Sequence, residues 1–164
     1  MDTTDQLTAE LGLPAPNQLG IVVRDVDRAA EYYASKLGIG PFTVYEFEAD
    51  KYWYMDEDEP SPFRVRQGKA MLGNLEIELV YQLKGRSCFR EFLETRGEGL
   101  QHLGFNVPNY DEMYERFVRA GFKPVVRVES YSEQYQGYLR ACCFDTQQVG
   151  GIAFEILYKS WLIE

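Results

Sequence analysis

One histidine, His102, and three cysteines, Cys88, Cys142 and Cys143, are all that this chain offers of those residue types. A single histidine excludes, within one chain, any zinc site built from two or three histidines and the two-histidine, one-carboxylate iron site. Any Ser-His-Asp or Cys-His nucleophile has to use His102. Three cysteines, two of them adjacent, make no disulfide framework; that agrees with a reducing compartment, and a cytoplasmic location is expected. Positive charge is also scarce. Lys+Arg 17 against Asp+Glu 26 gives −9, so neither nucleic acid nor an anionic membrane is expected as a partner. No apolar run approaches the roughly 18–20 residues that span a bilayer. The acidic start, Met1-Asp2-Thr3-Thr4-Asp5, carries no signal-peptide pattern. G-x-S-x-G, P-loop and G-x-G-x-x-G motifs are missing too, so nucleotide chemistry has no support. If a metal is bound, carboxylates and amides must supply most of its ligands.

What is present fits one globular domain: 164 residues, 45% hydrophobic and 26% charged. Two halves of the chain rhyme. Gln18-Leu19-Gly20-Ile21-Val22-Val23 matches His102-Leu103-Gly104-Phe105-Asn106-Val107 at an offset of 84, and Asp27 matches Asp111 at the same offset. Leu72-Gly73-Asn74-Leu75-Glu76-Ile77-Glu78-Leu79-Val80-Tyr81 matches Val149-Gly150-Gly151-Ile152-Ala153-Phe154-Glu155-Ile156-Leu157-Tyr158 at an offset of 77. The first half therefore carries a longer middle. Each half reads strand, helix, then three strands. Leu19–Val23 is a short β-branched run. Asp25 or Asp27 caps a helix that Gly38 stops; Asp111 and Gly121 repeat those roles in the second half. Strands are expected at 42–49, 63–71 and 74–82, then at 124–129, 137–144 and 151–158. A further helix, near 87–96, is capped by Ser87, and the opening 15 residues read as a short helix and a Pro14-Ala15-Pro16 arm. The acidic run Met55-Asp56-Glu57-Asp58-Glu59-Pro60 reads as a solvated loop. The expected fold is α+β: two βαβββ modules, 17–82 and 101–158, related by a pseudo-twofold, with sheets curled around one cleft. They form a single domain over 17–158, with an arm at 1–16 and a tail at 159–164.

The repeat singles out polar residues. Gln18 and His102 open the matching first strands, and Glu78 and Glu155 sit mid-strand in the matching last ones. Their apolar neighbours point to the opposite side because side chains alternate with period two. A carboxylate on the concave side is costly unless paired or bound to a metal. Taken singly, such a histidine is an ordinary structural residue and such a glutamate is simply wet. Four of them at symmetric positions make an N/O site for a divalent ion with positions left open. Glu76 shares the face of Glu78, but its counterpart is Ala153, so symmetry does not single it out. Aromatics gather at Tyr45, Phe47, Tyr52, Trp53, Tyr54 and Phe63, and again at Tyr131, Tyr135 and Tyr138, as pocket lining, dimer face or ordinary packing. Arg64, Arg66, Lys69, Lys84, Arg86 and Arg90 form a local basic excess, either a solvated face or a contact for anionic substrate groups.

These motifs resemble the vicinal oxygen chelate superfamily, which includes glyoxalase I, methylmalonyl-CoA epimerase, extradiol dioxygenases and bleomycin-resistance proteins. The epimerase-like branch is the nearest in motif: Glu78-Leu79-Val80, Leu83-Lys84-Gly85, Ser87, Phe92-Leu93-Glu94, then Gly97-Glu98-Gly99-Leu100-Gln101-His102-Leu103-Gly104-Phe105. Val22-Val23-Arg24-Asp25-Val26-Asp27 looks like the family's opening motif and Gly151-Ile152-Ala153-Phe154-Glu155 like its closing one. The resemblance implies one divalent ion (Zn, Co, Ni or Mn) held by Gln18, Glu78, His102 and Glu155, with Glu155 as base and Glu78 as its alternative. It also implies a small carbonyl or thioester substrate and a homodimer. Epimerases usually carry His where Gln18 stands and often an amide where Glu78 stands; the set here looks like that of eukaryotic glyoxalase I. The third-strand acid of some epimerases aligns near Arg66-Gln67, where there is none. The implied activity is a metal-dependent isomerase that stabilises an enolate. A glyoxalase I-type lyase and a metal-free binding or resistance protein are the alternatives.

Overall fold

The computed structural model describes residues 11–58 and 61–163. The short helix expected in the opening 15 residues falls largely outside the described residues, and 12–17 run without regular structure. Strand β1 (Gln18–Val22) leads to helix α1 (Val26–Leu37). Asp25 caps α1 by accepting a hydrogen bond from the Arg28 N–H at 3.0 Å, and Gly38, at φ 68, ends it. Strands β2 (Thr43–Glu48), β3 (Lys51–Tyr54), β4 (Glu57–Asp58), β5 (Arg64–Leu72) and β6 (Leu75–Lys84) follow. Helix α2 (Cys88–Arg96) starts on Ser87, whose Oγ accepts from the Phe89 N–H. The second half runs β7 (Gly99–Asn106), α3 (Tyr110–Arg119), β8 (Pro124–Ser132), β9 (Gly137–Phe144) and β10 (Ala153–Lys159).

Among the described residues all ten strands belong to one sheet, in the order β2-β5-β6-β1-β7-β10-β9-β8-β3-β4. Its centre is the antiparallel pair β1–β7, flanked by β6 parallel to β1 and by β10 parallel to β7. This is the α+β curled sheet with its pseudo-twofold between β1 and β7. The outer face carries the two repeat helices. Val23, Val26, Ala30 and Leu79 pack under α1; Phe105, Met113, Phe117, Phe144 and Ile156 pack under α3. The same two-fold logic governs polar anchoring. Arg66 on β5 grips Asp27 with two hydrogen bonds of 2.7 Å, and Arg140 on β9 pairs with Asp111 at 2.9 Å.

Two expectations need correction. Asn109, not Asp111, caps α3: Asn109 is the residue 84 places after the Asp25 cap, and Asp111 lies inside the first turn, committed to Arg140. The second is the acidic run at 55–60, which is not wholly loop. Glu57 and Asp58 form β4, pairing with Tyr54 and Trp53 across a two-residue turn in which Met55 and Asp56 both adopt positive φ (53 and 64). Such a turn matches the twist of a hairpin, and the acidic side chains sit on an exposed edge where water solvates them.

That hairpin is the longer middle of the first half, and it has a topological role. β2 is one edge of the sheet, whereas β3 pairs with β8 near the other edge. Only Ala49 and Asp50 join them. Three Cα steps reach about 11 Å at most, so the sheet must curl until its two ends nearly meet. Asp50 fastens the crossing, accepting hydrogen bonds from the Tyr131 N–H (2.7 Å) and the Ser130 hydroxyl (3.1 Å). The concave face is filled on that side by Val22, Tyr52, Phe63, Val65, Val80, Phe89, Leu93, Val126 and Val128.

Candidate functional site

Strand registry builds the site from two rows across β6, β1, β7 and β10. One row is Glu78–Gly20–His102–Ala153; the next is Glu76–Gln18–Gly104–Glu155. All eight residues face the same side, because residues two apart on a strand share a face. The pseudo-twofold exchanges Gln18 with His102, Gly20 with Gly104, and Glu78 with Glu155. Each glycine lies opposite the other half's polar side chain. A Cβ on Gly20 would stand 1.8 Å from His102 Cε1, and one on Gly104 would stand 2.7 Å from Gln18 Oε1. The repeated Q/H-Leu-Gly motif is thus one structural statement: a polar side chain, and a bare backbone two residues on for its partner to lie over.

Gln18, Glu78, His102 and Glu155 are brought together. From His102 Nε2, Gln18 Oε1 is 3.3 Å away, Glu155 Oε2 3.3 Å and Glu78 Oε2 3.4 Å. His102 and Gln18 are wholly buried and Glu78 nearly so. Other residues hold them in turn. His102 Nδ1 meets Gln101 Oε1 at 2.7 Å, and Phe89 of α2 stacks on the imidazole with centroids 5.8 Å apart. Gln18 Nε2 donates to Glu76 Oε1 at 2.7 Å. Lys69 Nζ lies 3.3 Å from Glu78 Oε1 and 3.5 Å from Glu76 Oε1, and Lys159 Nζ lies 3.9 Å from the same Glu76 oxygen.

The two equivalent carboxylates differ in their next-strand neighbours. Lys69 on β5 pairs with Glu78, while Cys143 on β9 occupies the corresponding place beside Glu155. Burial pushes the Glu78 carboxyl up, but the Lys69 charge and the bond to His102 outweigh it and take it down to about 2. At Glu155 burial prevails over the pull of His102 and, with Glu78 close by, the carboxyl is raised. Burial opposes charge on His102, yet Glu155 and Glu78 together lift it to about 9. Burial, with Lys69 nearby, lowers Lys159. Environments that push two carboxylates apart separate an acceptor of protons from a carboxylate that stays ionised.

Among the described residues, no group of three or more His, Cys, Asp and Glu side chains stands as a ready-made metal site. As placed, the carboxylates are ion-paired to the imidazole. The spacing nevertheless suits an ion in place of the proton. An ion about 2.0–2.2 Å from each donor puts neighbouring donors about 2.8–3.6 Å apart, in tetrahedral or octahedral geometry. The three separations from Nε2 fall in that range. One imidazole nitrogen and three oxygens form a borderline-hard donor set suited to a divalent first-row ion.

Sequence reasoning passed over Glu76 and treated Lys69 as surface charge. Alternation was the available signal, since Glu76, Glu78 and the facing Lys69 share one face. Four residues of the basic excess are engaged within the chain, while Arg90 lines the cavity beside α2. Arg64 pairs with Glu46, Arg66 with Asp27, and Lys69 with the two glutamates; Arg86 lies over the Tyr54 ring. Of the aromatics, Tyr52 and Phe63 are core, while Tyr131, Tyr135 and Tyr138 are exposed. A cavity of about 440 Å³, lined by Val22, Arg24, Gln82, Phe89, Arg90 and Leu93 among others, adjoins α2, so that Phe89 both lines it and stacks on His102.

The family model described as glyoxalase/bleomycin resistance protein/dioxygenase superfamily matches residues 17–139. No curated protein matches the chain. Among solved structures, the methylmalonyl-CoA epimerase from Mycobacterium tuberculosis aligns with TM-score 0.61 at 22% identity, covering 89% of this chain and 88% of that one. A variant of the Streptomyces coelicolor methylmalonyl-CoA epimerase, in complex with 2-nitronate-propionyl-CoA, aligns with TM-score 0.65 at 17% identity, covering 91% and 99%. A variant of 4-hydroxymandelate synthase from Streptomyces coelicolor aligns with TM-score 0.62 at 13% identity, covering 90% of this chain and 48% of that one. Identities this low establish a shared fold. No helix among the described residues is long and apolar enough to cross a membrane.

Proposed function

The chain belongs to the glyoxalase/bleomycin resistance protein/dioxygenase superfamily, and on that premise we propose that it is a metal-dependent isomerase of the methylmalonyl-CoA epimerase kind, acting on a carbonyl or thioester substrate. The observation that carries this reading is the convergence of three oxygens, from Gln18, Glu78 and Glu155, on His102 Nε2 at 3.3–3.4 Å. Gln18, Glu78, His102 and Glu155 would hold one divalent ion, of Zn, Co, Ni or Mn. Such an ion supplies Lewis-acid stabilisation of negative charge developing on a carbonyl oxygen. The chain's residues do the rest. Glu155, kept basic by burial, takes the proton from the carbon next to that carbonyl and returns it to the other face of the planar enolate, or to another atom. Glu78, held ionised by Lys69, stays a holder. Gln101 Oε1 accepts a hydrogen bond from His102 Nδ1–H, which keeps the proton on Nδ1 and leaves Nε2 free to donate its lone pair. Phe89, stacked on the imidazole, and the buried Val22 and Val80 give the site an apolar wall. The domain over 17–158, with both modules, is the unit this reading requires, since each contributes two of the four side chains.

One observation favours a second reading within the same chemistry. A carboxylate at Glu78, where epimerases often carry an amide, matches a lactoylglutathione lyase of the glyoxalase I type. Metal-loaded protein, purified without a histidine tag, separates them: deuterium wash-in at C2 of methylmalonyl-CoA supports the isomerase, turnover of the methylglyoxal–glutathione adduct the lyase. Loss of both activities, with no ion taken up, leaves a metal-free binding protein as the better reading.

A further inference from the structure

Glu76 has no symmetric partner, since Ala153 occupies its place in the other half, and yet it is the most heavily held carboxylate at the site. Its Oε1 accepts from Gln18 Nε2 at 2.7 Å and lies 3.5 Å from Lys69 Nζ and 3.9 Å from Lys159 Nζ. An ionised carboxylate only accepts hydrogen bonds, so the Gln18 atom facing it must be the amide nitrogen. The amide oxygen is thereby turned the other way, to 3.3 Å from His102 Nε2. Without Glu76 the two ends of the amide are nearly isosteric, and only the His102 Nε2–H, which an ion would displace, also favours the oxygen. Only the oxygen can ligate a cation; the NH2 group presents protons and repels one.

We propose that Glu76 is a positioning residue, which fixes the amide of Gln18 with its oxygen toward the ion site while Lys69 and Lys159 hold Glu76 in place. This rests on the metal reading above. It explains an asymmetry of the fold. His102, the counterpart of Gln18, has its orientation set by Gln101, the neighbouring residue on its own strand; the amide of Gln18 is oriented from the next strand, by Glu76. Partners of ligating groups that fix orientation in this way are typically worth about 10–100-fold in metal affinity.

The test is equilibrium binding of Zn²⁺, Co²⁺ and Mn²⁺ to untagged protein, with thermal unfolding measured alongside. Glu76→Gln can donate or accept, so it no longer sorts the amide, and affinity should fall by about 10–100-fold. The paired variant Gln18→Glu with Glu76→Gln restores affinity, because a carboxylate at 18 has two equivalent oxygens and needs no sorting. In unaltered protein labelled with ¹⁵N, the side-chain NH2 of Gln18 should remain hydrogen-bonded and slow to exchange once the ion is added. Wild-type affinity in Glu76→Gln overturns the inference and leaves the metal reading standing. Failure of the paired variant to recover, or a Gln18 NH2 that exchanges freely in the loaded protein, likewise overturns the inference alone. Uptake of no ion by the wild type overturns both.

Discussion

Alanine at position 20 tests the construction of the site without touching any polar group in it. Its Cβ would stand 1.8 Å from His102 Cε1, 2.1 Å from Nε2 and 2.2 Å from Nδ1. The imidazole cannot step aside easily. It is wholly buried, stacked on Phe89 and bonded to Gln101. Forcing a methyl into a packed interior costs about 1–3 kcal/mol, and losing the hydrogen bonds that the ring makes to charged groups costs about 1.5–3 kcal/mol more. Gly20→Ala should therefore lose about 2.5–6 kcal/mol, and a protein of this size should melt roughly 5–25 °C below the wild type. Urea unfolding followed by fluorescence of Trp53 and Trp161, with ion binding measured on the same samples, reads both effects. Gly104→Ala should behave in parallel, displacing Gln18, whose Oε1 and Cβ lie 2.7 and 2.8 Å from the added carbon. A Gly20→Ala protein that unfolds at the wild-type urea concentration and binds an ion equally well would refute the claim that this glycine exists to receive His102.

Three further outcomes are expected. Glu155→Gln keeps a ligand oxygen but loses a useful proton acceptor, so deuterium exchange at the substrate carbon should fall by about 10²–10⁴-fold with a modest change in metal content; Glu78→Gln should cost metal first, and the reverse pattern in the two assays would exchange their roles. In the ion-free protein, His102 is lifted from 6.5 to about 9 and Glu78 is lowered from 4.5 to about 2. The His102 contribution to stability is then complete below pH 6.5 and lost as pH rises through 9, whereas that of Glu78 is present above pH 4.5 and lost as pH falls towards 2; denaturation midpoints across pH check both windows, and ion affinity should rise with pH until His102 is neutral. Asn109→Ala should destabilise by about 1 kcal/mol as loss of a helix cap, and Asp111→Ala by less, since its ion pair with Arg140 is largely exposed; equal losses would contradict the capping assignment.

Much of this was readable from the chain because the information lay in repetition. Two copies of a Gln/His-Leu-Gly strand motif, and two of a strand with a central glutamate, specify one sheet and one point on it, although only Gln18 opens its strand, β7 starting three residues before His102. Strand polarity then follows from alternation, and helix ends from Asp25, Gly38 and Ser87. What could not be read was relational. The hairpin at β3–β4 has no apolar periodicity and draws its stability from pairing with β8, a strand some 70 residues later, so an acidic tetrad looked like plain loop. The cap at Asn109 was hidden because Asp111 matched Asp27 in the repeat, and the matched pair proved to be anchors for Arg66 and Arg140. Glu76 was discounted because it has no counterpart. Symmetry is a guide to the residues that two halves share, and blind to those that tell the halves apart.

That blindness matters most at the centre. The backbone makes Glu78 and Glu155 equivalent: each sits beside a glycine on the neighbouring strand and each reaches the same imidazole nitrogen. A symmetric site with two identical carboxylates would have no preferred base. The difference comes from one strand further out, where Lys69 faces Glu78 and Cys143 faces Glu155. A half-buried ammonium lowers the cost of a buried carboxylate; a buried neutral thiol leaves that cost in place. One wall of the cleft is consequently suited to holding charge and the other to exchanging a proton. Placing a neutral side chain at Lys69 would bring the two walls back towards equivalence, so the Lys69→Met variant should narrow the gap between the effects of Glu78→Gln and Glu155→Gln on exchange. A gap as wide as in the wild-type background would mean that Lys69 is not what distinguishes them.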